Sequence, residues 1–361
     1  MKKERIKEIL TEIKKVVSDK QRKSIIKILY ELFSYFIINK DLPKYYSKHM
    51  LHRKDAKNYL DYYIGKKEFY NIRHLVMDGE RELITILENK VLFHCHFKKS
   101  KLRLPTHLGY NLGKTFFSEE GNRSIHNYDS FSCLMRDLIL KTGTSSIFIK
   151  PIAGRRGEDC FKIDNDLLNS DRVEEIYNKI SSKKYLFQET IIQHPLISGI
   201  YPYSVNSLRI HTCIYMDGKI DVISMFMKFG YNRDYVESGS KGTIYISVDM
   251  NTGSLGPFAR KNFDWGGDIF IHHPDNGVKF SGFIVPHFEA AKDMAKAAAA
   301  FLLPYRLVGW DIAITEEGPI LLEGNHDFGF WGAQISDGGY KKNKIFKAFY
   351  EELVNSSEGS I

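Results

Sequence analysis

Two short stretches near the end of this 361-residue chain hold the residue types best suited to chemistry. Gly309-Trp310-Asp311-Ile312-Ala313 and Leu321-Leu322-Glu323-Gly324-Asn325 read as strands joined by a Glu316-Glu317-Gly318 turn. So short a turn sets Asp311 opposite Glu323, and residues 323 and 325 share a strand face because side chains alternate. Two carboxylates and an amide oxygen thus converge, a hard-oxygen set that suits Mg²⁺ shared with substrate phosphates. The competing reading is a hairpin with polar edge residues. Against it, both acids sit in apolar strands, where an unpaired carboxylate is costly.

A second candidate is Ile147-Phe148-Ile149-Lys150-Pro151 followed by Gly154-Arg155-Arg156-Gly157. A lysine at a strand end supplies a point charge, and a glycine-containing loop supplies backbone N–H groups to a polyphosphate. The Walker A pattern is absent, and an ordinary hairpin with glycine turns would look the same. A third candidate, Leu186-Phe187-Gln188-Glu189-Thr190-Ile191, is a strand end able to offer main-chain groups to an adenine edge.

The elements that must position these groups are mixed. Residues 1–88 read as helical. Ile25, Leu29, Leu32 and Phe36 recur at helical spacing, so one face is apolar and should meet the core. Further helical stretches are expected at Lys54–Tyr63 and Gly79–Leu92. Beyond residue 145 strands dominate: Ser146–Lys150, Cys160–Ile163, Lys184–Glu189, Ser207–Tyr215, Lys219–Phe229 and a pair at Gly242–Asp249 and Ser254–Lys261. The Asp217-Gly218 dipeptide between apolar runs marks a hairpin. Helices are expected at Asp171–Ser182, Pro286–Leu303 and Lys341–Leu353. The sum is an α+β body with antiparallel sheets, preceded by a helical unit.

Composition bounds the function. Hydrophobic residues make up 43% and charged residues 27%, as in a globular chain with a large core. Net charge is +8, with residues 1–100 summing to +10 and residues 101–361 to −2. The basic excess lies on helices without a recognisable motif, which argues against a nucleic-acid partner. It leaves open a peripheral contact of the amphipathic helix with anionic membrane, beside the preferred reading of a helical cap. Cys95, Cys133, Cys160 and Cys213 are scattered, which suits a reducing cytoplasm. The longest apolar run, Ile25 to Ile38, is 14 residues and carries Lys27 and Glu31. It is shorter than the about 20 residues a membrane span needs.

In this order the three motifs resemble the ATP-grasp superfamily, and within it the sugar-transfer-associated ATP-grasp family. The resemblance rests also on Gln193-His194-Pro195, Ser204-Val205-Asn206-Ser207-Leu208-Arg209 and His273-Pro274-Asp275-Asn276-Gly277. Ser207 stands where the family more often has threonine, and Lys228 in Met227-Lys228-Phe229-Gly230 where it more often has arginine. The resemblance implies two α+β subdomains gripping ATP, at 89–195 and 196–361 after a helical unit at 1–88. It implies that Lys150 and Lys90 contact phosphates, with Lys90 in the segment opening the grip. Gly154, Arg155, Arg156 and Gly157 would form a lid, and Gln188, Glu189, Thr190 and Ile191 would meet adenine. Arg209, with Lys228, would act at the γ-phosphate and the reacting carboxylate. Asp311, Glu323 and Asn325 would hold Mg²⁺. The implied reaction is carboxylate–amine ligation through an acyl phosphate, joining an amino acid or similar group to a sugar-linked partner. A kinase acting on a hydroxyl and a nucleotide-binding scaffold remain the alternatives. His94 and His96 alternate on a short stretch and could pair on a metal.

Overall fold

The computed structural model describes residues 2–41, 43, 45–56, 58–62, 66–77, 80–154, 157–235 and 243–358. Two antiparallel sheets carry the molecule. The first has strands β1 (His107–Leu112), β2 (Thr115–Ser118), β3 (Gly121–Ser124), β4 (Ser146–Pro151), β5 (Phe161–Asp164) and β6 (Tyr185–Glu189), in the order β3-β2-β1-β6-β4-β5. The second has β7 (Ser207–Ile214), β8 (Ile220–Phe229), β9 (Ile244–Ser247), β10 (Ala259–Lys261), β11 (Ile269–Phe270), β12 (Leu307–Thr315) and β13 (Gly318–Asn325), in the order β11-β10-β9-β8-β7-β12-β13.

The first sheet is covered on one face by the helices Tyr128–Thr142 and Arg172–Ser182. Phe131, Leu138, Ile176 and Ile180 pack there on Ile147, Ile149 and Phe187. The second sheet is buried on both faces. Helix Phe288–Phe301 lays Ala291, Ala295 and Ala298 on Leu208, Ile210 and Met225, where small residues let the backbones approach. Phe328, Ala333, Phe346 and Phe349 cover Cys213, Ile223 and Phe226 opposite. Burial on two sides is why β7, β8 and β12 read as nearly continuous apolar runs.

Several expected elements differ. The stretch 54–63 is not a helix: its described residues hold one 3₁₀ turn, Tyr59–Asp61. Asn58 there takes a left-handed conformation (φ 53°), a role asparagine tolerates in turns. The stretch 79–92 is two helices, Arg81–Glu88 and Lys90–Phe97, divided at Asn89. The Asn89 side chain accepts from the N–H groups of Val91 and Leu92, at 3.0 and 3.2 Å, and so starts the second helix. Strand 254–261 shrinks to Ala259–Lys261, because Pro257 has no N–H to give the ladder. His94 and His96, which could have paired on a metal, lie on a helix and point apart: His94 meets the His107 ring and His96 the carbonyl of Phe301.

The amphipathic helix brings the sharpest correction. Helix α1 (Lys2–Ser18) precedes α2 (Ile25–Asn39), which Ser24 caps by accepting from the Lys27 N–H. Its buried residues are Ile28, Glu31 and Tyr35. Ile25, Leu29 and Phe36, expected to meet the core, are exposed. The helix is apolar nearly all round, so spacing could not select the inner face. A polar anchor selects it: Lys23 Nζ donates to both Glu31 oxygens at 2.9 Å, and the Tyr46 hydroxyl donates to the same carboxylate. The N-terminal unit docks on the body through Arg53, whose Nε bonds Asp19 at 2.7 Å and whose Nη2 bonds the Gly266 carbonyl at 3.2 Å. The four cysteines are unpaired.

Candidate active site

The deepest part of the site is built by register. Asp311 on β12 lies directly across from Arg209 on β7 and from Glu323 on β13. Arg209 grips Asp311 with two bonds, Nε to Oδ1 at 2.6 Å and Nη2 to Oδ2 at 2.7 Å. Lys228 Nζ reaches Oδ1 at 3.0 Å from β8. The Asn325 amide nitrogen lies 3.3 Å from Asp311 Oδ2 and 3.4 Å from Glu323 Oε1, so all three side chains share one spot. Burial alone would raise the Asp311 carboxyl; the Arg209 and Lys228 cations outweigh it and hold Asp311 well below the usual carboxylate range.

Glycine makes this face possible. A Cβ on Gly324 would stand 2.7 Å from Leu87 and 2.7 Å from the Trp310 ring. With no side chain there, β13 lies close against β12 and Glu323 and Asn325 turn together to the site. Trp310, on the far face, is fully buried and donates to Thr212 Oγ1 at 2.9 Å. The approach of β7 is fixed by Asn206. Its Nδ2 donates to Gln193 Oε1 at 2.9 Å and to the Tyr201 carbonyl at 2.7 Å, and its Oδ1 accepts from the Gly230 N–H at 3.1 Å.

The opposing wall comes from the first sheet. Lys150 is the last residue but one of β4, and burial beside Lys90 pushes its ammonium down to about 8. Lys90 is the first residue of its helix; its N–H donates to the Ile152 carbonyl at 3.0 Å and its Nζ to the Gly154 carbonyl at 2.9 Å. The sequence-distant Lys90 therefore meets the glycine loop directly. Arg155 and Arg156 lie outside the described residues. Gln188, Thr190 and Ile191 border the same cleft. Glu189 does not: its Oε1 accepts from the Thr106 N–H at 2.8 Å, while its own N–H donates to the Thr106 carbonyl at 3.1 Å.

One cavity of about 1100 Å³ joins the two walls, with Lys90, Lys150, Gly154 and Gly157 on one side and Arg209, Lys228, Asp311, Glu323 and Asn325 on the other. It continues past the carboxylates to Tyr45, Lys48, His49, Arg73 and Trp265. Sequence reasoning missed this arm, because the helical unit carries no motif. It also missed His326, next to Asn325, whose Nε2 lies 3.0 Å from Glu88 Oε1. His273, by contrast, is buried beneath its turn with Nε2 3.0 Å from the Gly230 carbonyl. Among the described residues no three His, Cys, Asp or Glu side chains are placed to hold a metal ion. The oxygen set of Asp311, Glu323 and Asn325 fits Mg²⁺ in chemistry, provided that substrate oxygens or water complete it.

The sugar-transfer-associated ATP-grasp family matches residues 73–346. No curated protein sequence matches the chain. Among solved structures it is similar to the ATP-grasp ligase PsnB complexed with minimal precursor, at 15% identity and a TM-score of 0.41, over 76% of this chain and 62% of that one. It is also similar to D-alanyl-alanine synthetase A from Vibrio cholerae, at 13% identity and a TM-score of 0.47, over 76% and 66%. For the VanG D-Ala:D-Ser ligase from Enterococcus faecalis the values are 14% and 0.43, over 75% and 61%. The chain spans about three-fifths of the length of the first structures it matches. The family match covers most of the chain and every motif of the cleft, and the chain belongs to the sugar-transfer-associated ATP-grasp family.

Proposed function

We propose that the protein is an ATP- and Mg²⁺-dependent ligase that activates a carboxylate as an acyl phosphate and passes it to an amine. The observation that carries this reading is the facing of two unlike walls across one cleft. Lys90 and Lys150 on the first suit a polyphosphate; Arg209, Lys228, Asp311, Glu323 and Asn325 on the second suit the place where charge changes. In this reading residues 89–195 and 196–361 form the two jaws and residues 1–88 a helical unit beside them.

The residues divide the work by charge. Lys150 and Lys90 hold the α- and β-phosphates, and Gln188, Thr190 and Ile191 present main-chain groups to the adenine. Asp311, Glu323 and Asn325 would hold Mg²⁺, which would supply neutralising charge to the phosphate oxygens. Arg209 and Lys228 are the cations beside the reacting carboxylate. The carboxylate oxygen attacks the γ-phosphorus and ADP leaves; the amine then attacks the acyl carbon, phosphate leaves, and the amine's proton goes to solvent. Arg209 stabilises the anionic tetrahedral intermediate. No protein nucleophile is required.

The cavity exceeds the roughly 300–1,000 Å³ of common ligand pockets, which supports room for an acceptor beside the nucleotide. Its outer arm carries Lys48, which lies 3.7 Å from Asp264, and Arg73, together with the aromatics Tyr45 and Trp265. That lining suits an anionic, sugar-linked acceptor, with an aromatic face for the sugar ring. The test is product analysis after incubation with ATP, Mg²⁺ and panels of sugar carboxylates and amines. ADP with an amide supports the ligase. ADP with a stable phosphoester makes the protein a kinase, and bound ATP that is never turned over makes it a scaffold.

A further inference from the structure

Helix α2 is held inward by its one acidic residue and turns an apolar row outward. Glu31 is only 3% exposed, matched by Lys23 and Tyr46. On the other side Ile26 is 81% exposed and Phe33 65%, and Leu29, Tyr30, Phe36 and Ile37 are exposed with them. Six large apolar or aromatic side chains on a 15-residue helix form a surface that a monomer in water rarely keeps.

The charges left on that surface have one sign. With Glu31 buried, α2 shows solvent no acid. Lys27 lies on the exposed side, its Nζ 5.1 Å from the centre of the Tyr30 ring, and Lys40 follows the last turn. Residues 1–40 hold eleven Lys and Arg against five Asp and Glu. A helix of this length extends about 22 Å, and among the described residues no helix is long and apolar enough to cross a membrane. A short helix with an outward apolar row, aromatics in that row and lysines at its borders is suited to lie in the plane of a lipid–water interface.

From this arrangement we infer that the outer face of α2 docks the protein on an anionic phospholipid surface, with Phe33, Ile37 and their neighbours entering the headgroup boundary and Lys27 and Lys40 meeting lipid phosphates. Charge complementarity selects this occupant over a second copy of the chain, since two such faces would bring lysine against lysine. The docking leaves the cleft free, because the outer row of α2 faces away from the Glu31 side that packs on Tyr46 and Leu51.

The test is sedimentation of the full chain with vesicles of phosphatidylcholine alone and of phosphatidylcholine with phosphatidylglycerol. Pelleting should require the anionic lipid and weaken with salt. Phe33→Ser with Ile37→Ser should lower partitioning by on the order of a hundredfold, because two large apolar side chains lose their burial. Lys27→Gln should lower it about fivefold. An unchanged melting temperature in each variant shows that the fold survives, since these side chains are exposed. Absence of pelleting with anionic vesicles at low salt overturns the proposal. So does equal pelleting by the double serine variant, or a dimer that this variant breaks while vesicles are ignored.

Discussion

On one wall Lys150 of β4 and Lys90 at the start of its helix face the cleft together, and among the described residues neither is in a salt bridge, the carboxylate that acts on Lys150 being Glu323 of the opposite wall. On the wall built from the second sheet, Arg209 and Lys228 are matched by Asp311, with Glu323 beside it. The first wall holds charge in deficit of a counter-ion, and burial answers by lowering the Lys150 ammonium to about 8. The second is neutralised internally and rigid. The difference separates two tasks. An uncompensated cation pair gains most when an anion arrives, so it is suited to binding. A compensated cluster keeps its geometry in the empty protein, so it is suited to a reaction in which charge moves.

The largest expected effect lies on the compensated wall. Asp311→Asn keeps the shape and removes the charge that Arg209 and Lys228 share. Turnover, read as ADP formation with saturating Mg²⁺, should fall by on the order of 10²–10³. Thermal stability should fall as well, because two part-buried cations lose their counter-ion. Wild-type turnover would sink the assignment of this cluster to the chemistry. Glu323→Gln should act in the same direction, and the double variant should lose less than the sum, since both acids serve one centre.

Next in size is the support of that wall. Asn206 is fully buried and ties Gln193, Tyr201 and Gly230 at the start of β7. Asn206→Ala orphans several buried groups and should cost about 2–3 kcal/mol in denaturant unfolding. A change below about 0.5 kcal/mol would mean that β7 holds its register without it.

The uncompensated wall should respond in the opposite way. Lys150→Met removes a buried cation that costs stability at neutral pH, so the melting temperature without nucleotide should hold or rise. Affinity for ATP should fall roughly 10–100-fold, the loss of one charged hydrogen bond, and the thermal shift given by ATP should shrink with it. The wild type carries a pH signature. Below about 8 the Lys150 ammonium is already protonated. Above it, phosphate binding must take up a proton, so affinity should decline as pH rises, by up to about tenfold per pH unit. Calorimetry in two buffers of different ionisation enthalpy would count that proton; none taken up at pH 9 would remove Lys150 from the phosphate site.

How much of this was legible in the sequence follows from the range of the interactions. The pairing of Asp311 with Glu323 was legible only as a neighbourhood: the turn pairs Thr315 with Gly318, a register that would set Asp311 opposite Leu322, and an irregularity between Asp311 and Ile312 moves it to Glu323. The association of Lys90 with the glycine loop could not be read from spacing, since the link to Gly154 crosses the fold; only the family resemblance pointed to it. The inner face of α2 was illegible for another reason. Its apolar residues surround the helix, and the choice was made by Lys23 and Tyr46, which lie outside it. The wall of Tyr45, Lys48, His49 and Arg73 carries no local pattern at all, because irregular backbone brings it to the cleft.

Glu189 offers the smallest effect and the cleanest discrimination between binding and positioning. The sequence places it at the adenine; in the fold its carboxylate accepts from the Thr106 N–H, and the two residues bond in both directions. That pair ties the end of β6 to the segment entering β1, and so sets where Gln188 and Ile191 meet the cleft. Glu189→Gln retains an acceptor oxygen, so stability should change by less than about 0.5 kcal/mol, and the thermal shifts given by ATP and GTP should keep their ratio. Glu189→Ala leaves the Thr106 N–H without its side-chain partner and should cost about 1 kcal/mol of stability. If the carboxylate instead read the base, the glutamine variant would lose the preference for ATP over GTP at an unchanged melting temperature. A carboxylate that only positions the strand end moves stability and leaves base choice alone, so the two shifts measured together assign its role.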